Sequence, residues 1–140
     1  MLEALIFAAA ATAAFDAEVV PKAQSAIAAA CGTRPNLQVR WKAFGDDDTA
    51  ADALIKTNLT FLTAAFTTVC KDEAAKAAMA AQIKKVVLTQ AYGAADPMIY
   101  ISEGTLNIEY LWVKGEPAPD ANVVAAEIKS RLSGEEMEAP

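Results

Sequence analysis

Cys31 and Cys70 are the two side chains with the widest chemical repertoire in this chain. A thiol can attack a carbonyl, bind a soft metal or pair with a second thiol. Attack needs a neighbour that holds the sulfur as thiolate, and the sequence has neither a CxxC motif nor any histidine. Two cysteines alone cannot close a structural zinc site. That leaves a disulfide, or two buried thiols acting as small apolar residues. The disulfide is the expected state, because each cysteine falls at the end of a helical stretch. Closing a loop of that size contributes roughly 4 kcal/mol in the chain-entropy treatment.

The missing histidine also removes Ser-His-Asp catalysis, HExxH zinc sites and imidazole pH switches. The 18 acids are spread along the chain, and no spacing singles out a pair for acid–base work. Asp46, Asp47 and Asp48 with Asp52 offer oxygen ligands for a hard cation. They lack the alternating acids, central glycine and terminal Glu of an EF-hand loop, and a capped helix start explains them. Asn58-Leu59-Thr60 matches the glycosylation triplet but falls inside a helical stretch. Lys22 and Ser25 stand in the reverse order of a Ser-x-x-Lys motif, and the six glycines are too isolated for a phosphate loop. No catalytic residue, metal ligand or cofactor site is expected.

The elements that must position the cysteines are legible from spacing. Pro21 fits the first turn of a helix ending near Cys31, with Gly32 as its stop. Leu37 to Ala43 alternates apolar and polar, which predicts a half-buried strand with Leu37, Val39 and Trp41 inward. One long helix is expected from Thr49 to Lys71, with Ile55, Leu59, Leu62, Phe66 and Val69 as its core stripe. Asp72 and Glu73 open a second helix running to about Lys84. Three strand-like runs follow, over 86–92, 98–101 and 105–113, with a tight turn at Ser102-Glu103-Gly104. Asp120 caps a final helix from Ala121 to Leu132 that turns Val124, Ile128 and Leu132 inward. The order predicts an α+β fold: an antiparallel sheet of about four strands, one early strand plus a C-terminal three-strand meander, with helices packed on one face.

In that arrangement Trp41, Phe44, Tyr92, Tyr100, Tyr110 and Trp112 fall in or beside strands, as core packing rather than a ligand pocket. The opposite sheet face carries Gln38, Arg40, Lys42, Asn107 and Glu109. Arg40, Lys42, Asn107 and Glu109 form the candidate interaction face.

The 140 residues suffice for one domain, and alanine accounts for 33 of them, so a single core is all the larger apolar side chains can fill. Residues 1–18 form an apolar segment that reads equally as a signal-like leader, with an A-x-A site at Ala11-Thr12-Ala13, or as a packed helix. The domain proper is expected over 19–133, and residues 134–140 form an acidic tail. The uncharged run from Ala4 to Phe15 is too short to span a bilayer. Twelve basic against 18 acidic residues give a net charge of −6. That excludes a basic-patch nucleic-acid binder and disfavours anionic membranes.

These features lead to a small non-enzymatic binding module of an exported bacterial kind, periplasmic or secreted, whose partner is a protein or a small ligand. The alternative is a cytoplasmic acidic adaptor or chaperone-like homodimer. Small acidic α+β secretion chaperones share its size, charge and terminal helix but differ in element order, so the likeness is an analogy only.

Overall fold

The computed structural model describes residues 11–45, 48–91, 97–113 and 117–134. The fold is α+β, and the described residues form five α-helices and a four-stranded mixed sheet. The chain enters as helix at residues 11–14 and widens into a π-helical turn at Phe15–Val19. It then tightens into α1, Val20–Cys31. Pro21 explains the widening: it donates no N–H to the preceding turn, and its ring crowds the carbonyl there. Gly32 ends α1 with φ of 72°, its N–H bonded to the Ala28 carbonyl at 2.9 Å.

Strand β1 covers Asn36–Val39, with Leu37 and Val39 buried as expected. It is shorter than its alternation suggested. The chain turns into a 3-10 helix at Trp41–Phe44, which lifts Trp41 off the strand. Trp41 instead packs edge-on against Phe15 and beside Phe44, with ring centroids at 5.5 and 5.3 Å. Its indole N–H donates to the Asp16 carboxylate, 3.0 Å from each oxygen.

The expected long helix is two helices, α2 at Asp48–Thr57 and α3 at Thr60–Val69. Asn58 and Leu59 between them have φ of 50° and 59°, in the left-handed region. Thr57 closes the break. Its hydroxyl donates to the Leu54 carbonyl at 2.7 Å and accepts from the Leu59 N–H at 3.3 Å, offering the backbone an alternative to the helical ladder. Four of the five stripe residues, Leu59, Leu62, Phe66 and Val69, are fully buried, whereas Ile55 is half-buried and its neighbour Leu54 takes the buried position in α2. Helix α4 spans Glu73–Gln82 and α5 spans Ala121–Leu132. Both start where an aspartate caps them: Asp72 accepts from the Ala74 and Ala75 N–H groups, Asp120 from Asn122 and Val123.

Strands β2 (Lys85–Gln90), β3 (Met98–Ser102) and β4 (Thr105–Tyr110) complete the sheet. Its order is β1-β2-β4-β3, with β1, β2 and β4 parallel and β3 antiparallel to β4. The sheet is therefore mixed, and the three-strand meander is not formed. Strand β3 takes the outer edge, β4 returns between it and β2, and only β3–β4 is a hairpin. Its turn is Glu103-Gly104, with φ of 50° and 80°. Positive φ at both positions matches the twist of the strands it joins.

The register aligns Leu37, Val86, Leu106 and Ile101 in one row and Val39, Leu88, Ile108 and Ile99 in the next. These strand residues and the inward side chains of the helices form one core, which contains no residue of the opposite sheet face. Among the described residues no helix is long and apolar enough to cross a membrane.

Candidate functional site

The polar side chains foreseen as an interaction face divide between two adjoining places. The first is the sheet face turned from the core. There Gln38, Val87, Asn107 and Tyr100 share one row across all four strands, and Glu109 pairs with Thr89 and Met98 in the next. The centre of this face is β2, where Val87 and Thr89 are buried although neither belongs to the core. Tyr100 donates its hydroxyl to Glu109 at 2.8 Å, diagonally across β3–β4. That bond, with partial burial and the charge of Glu109, raises the phenol's pKa above its ordinary value; the Arg40 guanidinium pulls the other way. Arg40 follows β1, whereas Tyr100 is on β3 at the far edge.

The second place is the free edge of β1. Lys42 leaves the sheet with the 3-10 helix and lies here rather than on the face with Asn107 and Glu109. A groove of about 610 Å³ runs along this edge, lined by residues 37–42 and by Asp16 and Val20 from the chain entering α1. Arg40 lines the groove and so belongs to both places.

A smaller groove of about 440 Å³ lies between α4 and α5, lined by Ala74, Ala78 and Ala126, with Asp72 and Lys129 paired at 3.3 Å. Backbone donation from Ala75, followed by Lys129, holds the Asp72 carboxyl below its ordinary value. Each groove carries a single carboxylate among its lining residues. Among the described residues no three Asp, Glu, Cys or His side chains gather as a metal-binding group. Asp46 and Asp47 lie outside the described residues, and Asp52 pairs with Lys56 at 3.2 Å.

Cys31 and Cys70 stand at disulfide distance, with sulfurs 2.07 Å and Cα atoms 5.2 Å apart. Both are buried, at the last residue of α1 and the residue following α3. The aromatic residues do not share a pocket. Phe15, Trp41 and Phe44 cluster beside the β1 edge, while Phe61, Trp112 and Tyr110 stack at the end of β4. Tyr100 sits on the opposite face and Tyr92 lies outside the described residues. Asn58 of the glycosylation triplet is exposed in the α2–α3 turn, not in mid-helix.

Residue spacing did not disclose the β1 edge. Its signal was nonetheless present: Arg34, Arg40 and Lys42 fall within nine residues that contain no acid, in a chain with an acidic excess. No family of proteins, no curated protein and no solved structure matches this chain.

Proposed function

We propose that the chain is a non-enzymatic binding module, exported and braced by the Cys31–Cys70 disulfide, that engages its partner through the sheet face turned from the core. The observation that carries this reading is the mismatch between strand direction and cover. Parallel strands are ordinarily packed on both faces. Here β1, β2 and β4 are parallel, yet outside the buried centre of β2 their second face is polar, with Gln38 exposed and Asn107 and Glu109 half-buried. The other face offers the polar side chains of Gln38, Arg40, Asn107, Glu109 and Tyr100 on the strands to either side of β2, whose own Val87 and Thr89 are buried. Placing the cysteine pair at two helix ends suits an oxidising compartment.

Site-specific photo-crosslinking in the native host tests the reading. A photoreactive residue at Gln38 or Asn107 is expected to give a discrete covalent adduct, whereas one at the exposed helical position Thr67 gives none. Equal labelling from all three positions, or none from the sheet, would overturn it. Acid quenching with thiol alkylation, before and after reduction, tests the compartment: cysteines freely alkylated in the quenched cell would return the chain to the cytoplasmic adaptor reading.

A further inference from the structure

We infer that the free edge of β1 binds an acidic segment in extended conformation, as an added strand. The inference rests on the binding-module reading and names the chemistry of a partner.

The geometry begins with the ladder. In a parallel pair, the N–H and C=O of one residue point to the same side, and successive residues alternate. Asn36 donates to the Lys84 carbonyl at 2.9 Å and Arg40 to the Leu88 carbonyl at 2.8 Å. The even-numbered residues of β1 thus face β2, and Leu37 and Val39 point their main-chain groups outward. Among the described residues nothing pairs with those outward groups. An edge of this kind is a template for another strand unless something blocks it. Beside it the chain entering α1 forms, at Asp16 and Val20, the far wall of the groove of about 610 Å³ into which the edge opens.

Charge selects the occupant. Arg34, Arg40 and Lys42 flank the edge, and no ion pair among the described residues holds them. Asp16 is the groove's one acid, and both its oxygens already accept the Trp41 indole N–H. A second copy of this chain suits the edge poorly. Antiparallel self-pairing about Gln38 would set Arg34 of one molecule against Lys42 of the other. An acidic strand meets no such repulsion. Because strand side chains alternate, one set of its residues would lie beside Arg40 on the polar face, the other toward Val20. The matching ligand therefore alternates Asp or Glu with Val or Ile.

The test uses such an octapeptide, capped at both ends, with a twin carrying Lys in place of each acid, against the isotope-labelled full-length oxidised protein. Backbone amide shifts and hydrogen exchange are read by NMR. The acidic peptide is expected to shift residues 37–42, to protect the Leu37 and Val39 amides, and to weaken as salt is raised. The basic twin should bind at least tenfold more weakly, and Arg40→Glu/Lys42→Glu should lower affinity for the acidic peptide by a similar factor. Two N-methylated versions, blocked at alternate peptide bonds, separate strand addition from plain attraction: only one should lose binding. Equal binding by both, shifts confined to the Asn107–Glu109 face, or no binding at all would overturn the inference. A concentration-dependent dimer displaced by the peptide would overturn it as well, reassigning the edge to a second copy. None of these outcomes touches the crosslinking result from Gln38 and Asn107, which decides the module reading separately.

Discussion

Tyr100 and Glu109 face each other on the polar side of the β3–β4 pair, and their hydrogen bond can be read by titration. The phenol is the donor, so the bond survives only while the phenol keeps its proton. Its folded pKa is raised above 10.0, mainly by Glu109, with burial second. The sign follows: the bond's contribution is complete below pH 10.0 and is lost as pH rises through the higher folded value. Glu109→Gln is expected to bring the Tyr100 titration back toward the ordinary value, as followed by phenolate absorbance, with Tyr100→Phe assigning the transition. An unchanged midpoint would show that the bond is absent in solution. Asn58 is a second residue whose identity matters through its backbone. With φ of 50° it occupies a region that costs most side chains about 1–2 kcal/mol and that Asn and Gly tolerate. Asn58→Ala should therefore lower stability by about 1 kcal/mol, while Asn58→Gly stays within a few tenths of wild type or gains. Urea melts of the two variants check the ordering, and equal losses would mean that the turn relaxes out of the left-handed region.

Elements carry the larger energies. Phe66 is fully buried near the middle of α3. Phe66→Ala should cost about 3–5 kcal/mol by denaturant melt, and a loss under about 1 kcal/mol would place the stripe on the wrong side of the helix. This element also marks where sequence reading succeeds and where it stops. Burial along residues 54–69 was legible because the step of three and four depends on local geometry alone. The break at Asn58-Leu59 was not, although Thr57-Asn58 are weak helix formers and Asn is a common left-handed stop. In the sequence Ile55 keeps step with Leu59, which hides the break; in the structure Leu54 takes the buried place instead. Strand positions were legible for the same local reason, and so was the β3–β4 hairpin, whose Glu103-Gly104 turn is chemically marked. Strand order was not legible, because pairing β2 with β4 joins residues twenty positions apart in sequence with β3 between them. One residue pattern did point to it. Val86-Val87-Leu88 is unbroken by polar residues, the mark of a central strand shielded on both sides, whereas an exposed meander strand would alternate. The candidate face was half legible: alternation placed Asn107 and Glu109 opposite the core, but the 3-10 turn after β1 carried Lys42 away to the edge.

At the scale of the whole molecule, the cysteine pair at disulfide distance spans the helical layer. Cys31 ends α1 and Cys70 follows α3, 39 residues apart in sequence, so a bond between them restricts the unfolded chain over a long loop. For that separation the entropy treatment gives roughly 4 kcal/mol. Domains of this size are stable by about 5–15 kcal/mol in total, so the tie would supply a large share of the margin without being needed to define the fold. The reason is in the core: Ile27, Leu54, Leu62, Phe66, Leu88 and Ile128 are fully buried and belong to α1, α2, α3, β2 and α5. The reduced protein should therefore keep its far-ultraviolet circular dichroism and its tertiary fluorescence. It should unfold at a markedly lower urea concentration, with a steeper slope, since the unbridged denatured chain exposes more surface. Comparing oxidised with reduced wild-type protein avoids the cavities that Cys→Ala substitutions would add. Coincident melts for the two forms would mean that the bond restrains nothing the packing does not already hold. Loss of all tertiary signal on reduction would mean that the core is weaker than its burial implies. An intermediate outcome, folded but less stable when reduced, is what a bond that braces a fold already specified by its core requires.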